Sequence, residues 1–327
     1  MSSESLVKSP VYSDPVSRID DLISGAERKF RLAFMGMVSF LRSRRSIDEI
    51  ASLLATGRVE EALREVENAA RMIGATWSEV FTTSGNTTAI FFGSSTGLVI
   101  DFDRTSSLAV REMSVNQFRL INQITSEQIA ATRTALIEGL RRNLDARVQA
   151  DLLLRSIGLT SVQVTASFNY RRLLESLSAE VLRRDLRNPS YDSLVREAIS
   201  VDEPLTSFQV ERMVRQYEKQ QLAFRADLIS ASEAQSASGA GVHEMYRQAV
   251  DRSYLDPNSI ERTWHTRNDN KVRDPAHTHL KGQVRDFFTP FRSGIGGNLQ
   301  FPGDPSALAN DRAGCRCRVS TQFRVIA

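Results

Sequence analysis

The side chains best suited to chemistry crowd one short stretch near the C-terminus. Both cysteines of the 327-residue chain, Cys315 and Cys317, and three of its four histidines, His265, His277 and His279, fall between Trp264 and Cys317. His277-x-His279 and Cys315-x-Cys317 each place two side chains on one face if the backbone is extended. Four nitrogen and sulfur ligands so placed suit tetrahedral zinc, which makes His277, His279, Cys315 and Cys317 the candidate metal set. The competing reading makes the cysteines small buried residues and His277 a hydrogen-bonded core imidazole. Residue types also allow a nucleophilic Cys315 with His277, or a metal nuclease using the histidines with Asp269 or Asp304. For the nucleophile, nothing in the sequence fixes an oxyanion hole or a third member. Asp269 and Arg273 lie four apart in turn-forming sequence and are expected to order a loop. Asp304 is expected to bond its own backbone in a turn, and Trp264 to anchor a small core. Cysteines two apart are poorly placed for a disulfide, so the pair points to a reducing compartment.

The order of features is more specific than any one of them. Trp264, Thr266, Asp269, Val272 and Arg273 precede His277, Gly282, the turn Pro302-Gly303-Asp304-Pro305 and Cys315-Arg316-Cys317. This series resembles the phage Mu F-like family of minor head, or head-morphogenesis, proteins. The family pattern is a Trp, T-x-x-D-x-x-V-R, a His before a Gly, a P-G-D-P turn and a terminal N-C-R-C. Upstream, Arg225-Ala226-Asp227-Leu228-Ile229 with Ser232-Glu233 resembles the family's R-A-x-x-I-A-R-T-E helix, with Ala231-Ser232 in place of Arg-Thr. The likeness covers residues 208 to 323 and continues more weakly back to Ser114. This chain departs from the pattern twice: His277 lies one residue farther from Arg273 than the family's His does, and Gly314 replaces the usual Asn. Some relatives carry C-x-x-C where this chain has Arg273 and His277, as if ligands had been exchanged. The resemblance implies a structural, non-enzymatic minor component of a tailed-phage head. Its partners would be the portal protein and other head or capsid proteins, met in the host cytoplasm during procapsid assembly. It would then lie in the virion head interior beside packaged double-stranded DNA, bound without sequence preference. A metal-dependent, nuclease-like enzyme acting on nucleic acid is the alternative. No cofactor is implied beyond the zinc that the residues themselves suggest.

Bulk composition is compatible with this. Hydrophobic residues make up 41% and charged residues 25%, as in ordinary globular proteins. The net charge of +3 is too small for a dedicated nucleic-acid binder. Arginine dominates the basic residues, thirty-seven against five lysines. That bias reflects either a GC-rich genome or a use for forked donors to carboxylate and phosphate. Clusters at Arg42-Arg44-Arg45, Arg141-Arg142-Arg147 and Arg171-Arg172 with Arg183-Arg184-Arg187 are solvated helix faces or faces for polyanions. They lack the interleaved aromatics that stack single strands. The N-terminus lacks the apolar core of a signal peptide, and the run from Leu32 to Leu41 is too short to span a bilayer, so no membrane partner is expected.

The elements that must position these residues read as α+β: a mostly helical body, a small strand insertion and a compact, turn-rich C-terminal module. Residues 1–17, rich in Ser and Pro, are expected to form a flexible arm. The body spans 18–254. Its first helix runs from about Ile19 to Ser43 on three- and four-residue apolar spacing. A capping box of Ser46 with Glu49 begins a short helix ending at Gly57, and Val59, Leu63, Val66, Ala70 and Ile73 mark another, ended by Gly74. Thr-, Phe- and Gly-rich residues 77–103 read as two strands around a turn at Gly93 to Gly97. Later helices carry the stripe Ile129, Leu136, Leu140 and Leu144 behind a Thr125/Gln128 cap, then Asp145 to Ser156, then the stripe Tyr170, Leu174, Leu177 and Val181. The longest runs from Thr206 to about Ser238, burying Val210, Met213, Val214, Tyr217, Phe224 and Leu228, and gives way at Ser-Ala-Ser-Gly-Ala-Gly to a last helix over Val242 to Asp251. The module occupies 255–327.

Overall fold

The computed structural model describes residues 10–43, 48–49, 51–52, 56, 58–267 and 269–325, apart from the side chains of 59–65. Strand β1 (Tyr12–Asp14) precedes helices α1 (Val16–Ser43), α2 (Val59–Thr96), α3 (Ser107–Arg141), α4 (Ala146–Ser156) and α5 (Ser161–Glu175). Short 3-10 turns at Ala179–Arg183 and Pro189–Tyr191 lead to α6 (Asp192–Val201) and the long α7 (Ser207–Asp251). The C-terminal part holds β2 (Glu261–His265), β3 (Val284–Arg285), β4 (Phe291–Arg292), β5 (Asn298–Leu299), α8 (Ala309–Arg312) and β6 (Arg318–Phe323). The class is α+β and mostly helical, as expected. No helix among the described residues is long and apolar enough to cross a membrane. The Ser46 cap, the Gly57 stop, Arg44, Arg45 and the Val59 and Leu63 side chains fall outside the description.

The chain divides into two compact units. One contains Ala33–Ile73 and Arg119–Asp227. Its core gathers Tyr170, Leu174, Val181, Val195, Val210, Met213, Val214 and Tyr217, with the two tyrosine rings stacked at 4.4 Å. Local sequence sets the ends of its helices. The Asp145 side chain caps α4, and Thr160 with Gln163 forms a capping box on α5. Gly158, at a φ of 87° that disfavours side chains, turns the chain out of α4. Thr206 and Gln209 exchange hydrogen bonds at the start of α7, as expected. Phe224 is instead exposed. The cap expected at Thr125 does not start a helix, because α3 is already helical from Ser107. The buried face of this part of α3 runs through Leu120, Ile124, Gln128, Ala131 and Ala135, so the expected stripe is out of phase and Leu140 is exposed.

The other unit contains Met1–Leu32, Gly74–Phe118 and Leu228–Ala327. Residues 255–327 therefore share a unit with helical segments rather than standing alone. An antiparallel sheet in the order β1-β6-β2-β3 forms its framework, with Trp264 opposite Val319 and Tyr12 opposite Phe323. Of the expected flexible arm, residues 1–9 lie outside the described residues; the rest is corrected here, since Tyr12–Asp14 is an edge strand and helix begins at Val16. Buried Asp14 holds that edge down. It accepts a hydrogen bond from the Tyr246 hydroxyl at 3.0 Å and pairs with Arg18. Phe323 lies fully buried between Tyr12, Phe92 and Tyr246.

Two further corrections concern small residues. The strand insertion expected over 77–103 is absent: residues through Thr96 belong to α2, and no strand is assigned over 97–103. Trp77, Phe81, Ser84, Thr88 and Phe92 are buried at helical spacing. The segment Ser-Ala-Ser-Gly-Ala-Gly does not end a helix but lies within α7. A Cβ on Gly241 would sit 2.3 Å from the Phe81 carbonyl oxygen, and one on Gly239 would sit 2.6 Å from the Phe301 ring. These glycines are where α2 and the loop at Phe301 approach α7 closely.

Candidate metal centre

The site is built on the end of β2, the turn at 277–280 and the extended segment before β6. Trp264 is fully buried on the inward face of β2, edge-on to Phe291 at 5.0 Å. Around it pack Leu280, Leu299, Cys315 and Cys317. Trp264 is thus the core anchor that its type suggested. Its carbonyl accepts from the Gly282 amide at 2.9 Å, and Gly282 adopts a φ of 75°, which explains a glycine at that place.

His277 and both cysteines meet. Each is about 3% exposed, and His277 Nδ1 lies 3.8 Å from Cys315 Sγ and 3.6 Å from Cys317 Sγ. His277 Nε2 lies 2.9 Å from the Asp311 carbonyl oxygen, an acceptor, so this nitrogen carries the proton and donates. Nδ1 is then the ring atom that faces the two sulfurs. Both cysteines are free thiols, buried side by side. Their mutual interaction pushes Cys315 up and draws Cys317 down from the ordinary thiol range.

His279 does not join them. It is exposed and lies in the 3-10 turn Thr278–Leu280, which His277 enters in a helical conformation. At three residues per turn, positions two apart point to different sides, so the shared face assumed for His277-x-His279 does not exist. Cys315-x-Cys317 is non-helical, and both thiols face His277. The candidate set is therefore His277, Cys315 and Cys317, with one ligand atom from each within 4.8 Å of the others.

The remaining motif residues frame this group. Asp269 does not pair with Arg273. It accepts from Arg316 at 2.7 Å and from the Lys271 amide at 3.0 Å, and the Arg316 bond holds its carboxyl below the usual range. Arg273 donates to the Asn310 carbonyl. Arg316 thus ties the 269–273 loop to the cysteine segment, and Arg273 ties it to α8. Gly314 has a φ of 60°, a region that glycine and asparagine both tolerate, so the exchange for Asn is conformationally neutral. Its amide donates to Ser232 of α7 at 2.9 Å. Asp304 bonds its own turn as expected, accepting from the Ser306 amide at 2.9 Å and the Gln300 amide at 2.7 Å. Pro302 and Gly303 are buried against α7, where Gln235 donates to the Pro302 carbonyl at 3.2 Å, while Pro305 is half-buried.

Sequence reasoning missed Asp311 and Arg262. Asp311 is fully buried, with Oδ2 bonded to Ser293 Oγ at 3.0 Å and Oδ1 lying 3.8 Å from His277 Nε2. Nothing in its surroundings of ordinary polar residues marks it. Arg262 spans the module, donating to the carbonyls of Asp286, Gln300 and Thr289. Burial lowers its guanidinium to about 10. Its place two residues before Trp264, on the same strand face, is a signal that period-two reading could have used.

No protein-family model matches the chain, and no curated protein or solved structure matches it either.

Proposed function

We propose that this chain is a structural minor head protein of a tailed phage. In this reading it binds the portal and other head proteins in the host cytoplasm during procapsid assembly and stays in the head interior. What supports the reading is the convergence of the residues that carry the family resemblance. Trp264, His277, Cys315 and Cys317 share one buried group, Asp269, Arg273 and Arg316 brace the loop beside it, and the Pro302–Pro305 turn is fastened to α7. Residues spread over fifty positions acting together make a framework, which suits a protein working through its surfaces. Packaged double-stranded DNA is a further partner, bound weakly and without sequence preference. Exposed Arg141, Arg142, Arg147, Arg172 and Arg183 support that part. Duplex binding should fall steeply with salt; salt-insensitive or sequence-selective binding in a titration at two ionic strengths would contradict it.

A metal-dependent enzyme acting on nucleic acid is the second reading, and the buried thiol–imidazole group is what favours it. A pull-down of the tagged chain from infected cells separates the two. Recovery of portal protein with no nucleic-acid turnover is the expected result. Turnover that a chelator abolishes, without portal, would replace the head-protein reading by the enzyme.

A further inference from the structure

We infer that His277 Nδ1, Cys315 Sγ and Cys317 Sγ bind one zinc ion and leave its fourth position open to a small exchangeable ligand. This goes beyond the head-protein reading and does not depend on it.

Tetrahedral zinc with Zn–N near 2.0 Å and Zn–S near 2.3 Å places nitrogen and sulfur ligands roughly 3.6 Å apart. The two separations here, 3.6 and 3.8 Å, are of that size before any ion draws the ligands together. The His277 tautomer is already the required one, since Nε2 donates to the Asp311 carbonyl and leaves Nδ1 as the metal-facing lone pair. Behind the ring, the Asp311 carboxylate oxygen Oδ1 is buried without a hydrogen-bond partner, 3.8 Å from Nε2. A buried carboxylate behind a histidine is the outer support that orients metal-bound imidazoles. Two thiolates and one imidazole select a borderline-soft divalent ion such as zinc over magnesium or calcium.

The open position rests on a separate observation. A recess of about 20 Å³ borders all three ligand residues, enough for one water molecule. Arg267, Lys271, Arg273 and Arg316 also line it. His279, the residue that would have closed the set, lies exposed in the 278–280 turn, outside the ligand group. Zinc with two thiolates carries no net charge; Arg267 is paired with Asp20 and Arg316 with Asp269, and the remaining rim charges of Lys271 and Arg273 favour an anionic fourth ligand, either hydroxide or a small inorganic anion.

The test uses the full chain, purified under reducing conditions. Elemental analysis should find about one zinc per chain, lost in the Cys315→Ser/Cys317→Ser double variant and kept in His279→Ala. The double variant can lose its fold, so a second readout uses the unaltered chain. Its cobalt(II) form should show thiolate-to-metal charge transfer and the visible bands of a tetrahedral site, and thiocyanate or cyanide should shift those bands while cobalt remains bound. A chain that takes up neither zinc nor cobalt overturns the site. Loss of metal in His279→Ala, or cobalt bands that no small anion moves, overturns the open position.

Discussion

Asp304 shows how much one side chain holds together in this protein. It is about 5% exposed and accepts from two backbone amides and the Ser306 hydroxyl. Asp304→Ala removes the carboxylate that these three part-buried hydrogen bonds share, and chemical denaturation should report a loss of about 1–3 kcal/mol; an unchanged midpoint would mean the turn does not need its carboxylate. His243 offers a test by pH. Its ring stacks on Phe287 at 4.7 Å, and burial, with Arg262 and Arg247 nearby, lowers its pKa to about 3. The folded chain thus holds a neutral imidazole, while an unfolded one protonates near 6.5. Stability from this residue is complete above about pH 6.5 and drains away as pH falls toward 3. His243→Phe should flatten the fall in urea midpoint between pH 6 and 4, and an unaltered slope would contradict the assignment. At this scale the sequence was informative wherever a side chain acts on its own strand or turn. Asp304 does so, whereas Trp264 and the Cys-x-Cys pair, which pack across the fold, stand out by residue type alone. Asp311 and Arg262 act across the fold, and His279 depended on a local conformation that spacing does not report.

Among the elements, close packing of backbones decided the outcomes that periodicity left open. Glycine, serine and threonine in residues 84–96 and 236–241 read as strand or helix breaker, because those types favour turns and strands in isolation. In the fold they lie within long helices whose small residues admit a neighbouring backbone. The helical spacing of Trp77, Phe81, Thr88 and Phe92 was present in the sequence but outweighed by composition. Gly241→Val forces a Cβ into the Phe81 carbonyl and should destabilise by at least about 2 kcal/mol. Gly25→Ala, in α1, meets nothing within 4 Å and should stabilise by up to about 1 kcal/mol. Thermal unfolding of the pair checks both signs, and equal effects would mean that the close approach at Gly241 is not real.

For the whole molecule, apolar spacing revealed a mostly helical α+β chain, but not how it divides. Helices α1, α2, α3 and α7 each contribute residues to both compact units. The division between the units falls inside these helices, whereas linker composition points to residue 255. The strand pairing of Tyr12–Asp14 with β6 joins residues more than three hundred positions apart, which no local pattern encodes. The C-terminal motif was legible as a group because its residues contact one another. The proposal that these residues serve a phage head is tested most directly by quantitative mass spectrometry of purified procapsids and mature virions. The chain should be present in both, alongside portal protein. Its absence from both particles would contradict the proposed function.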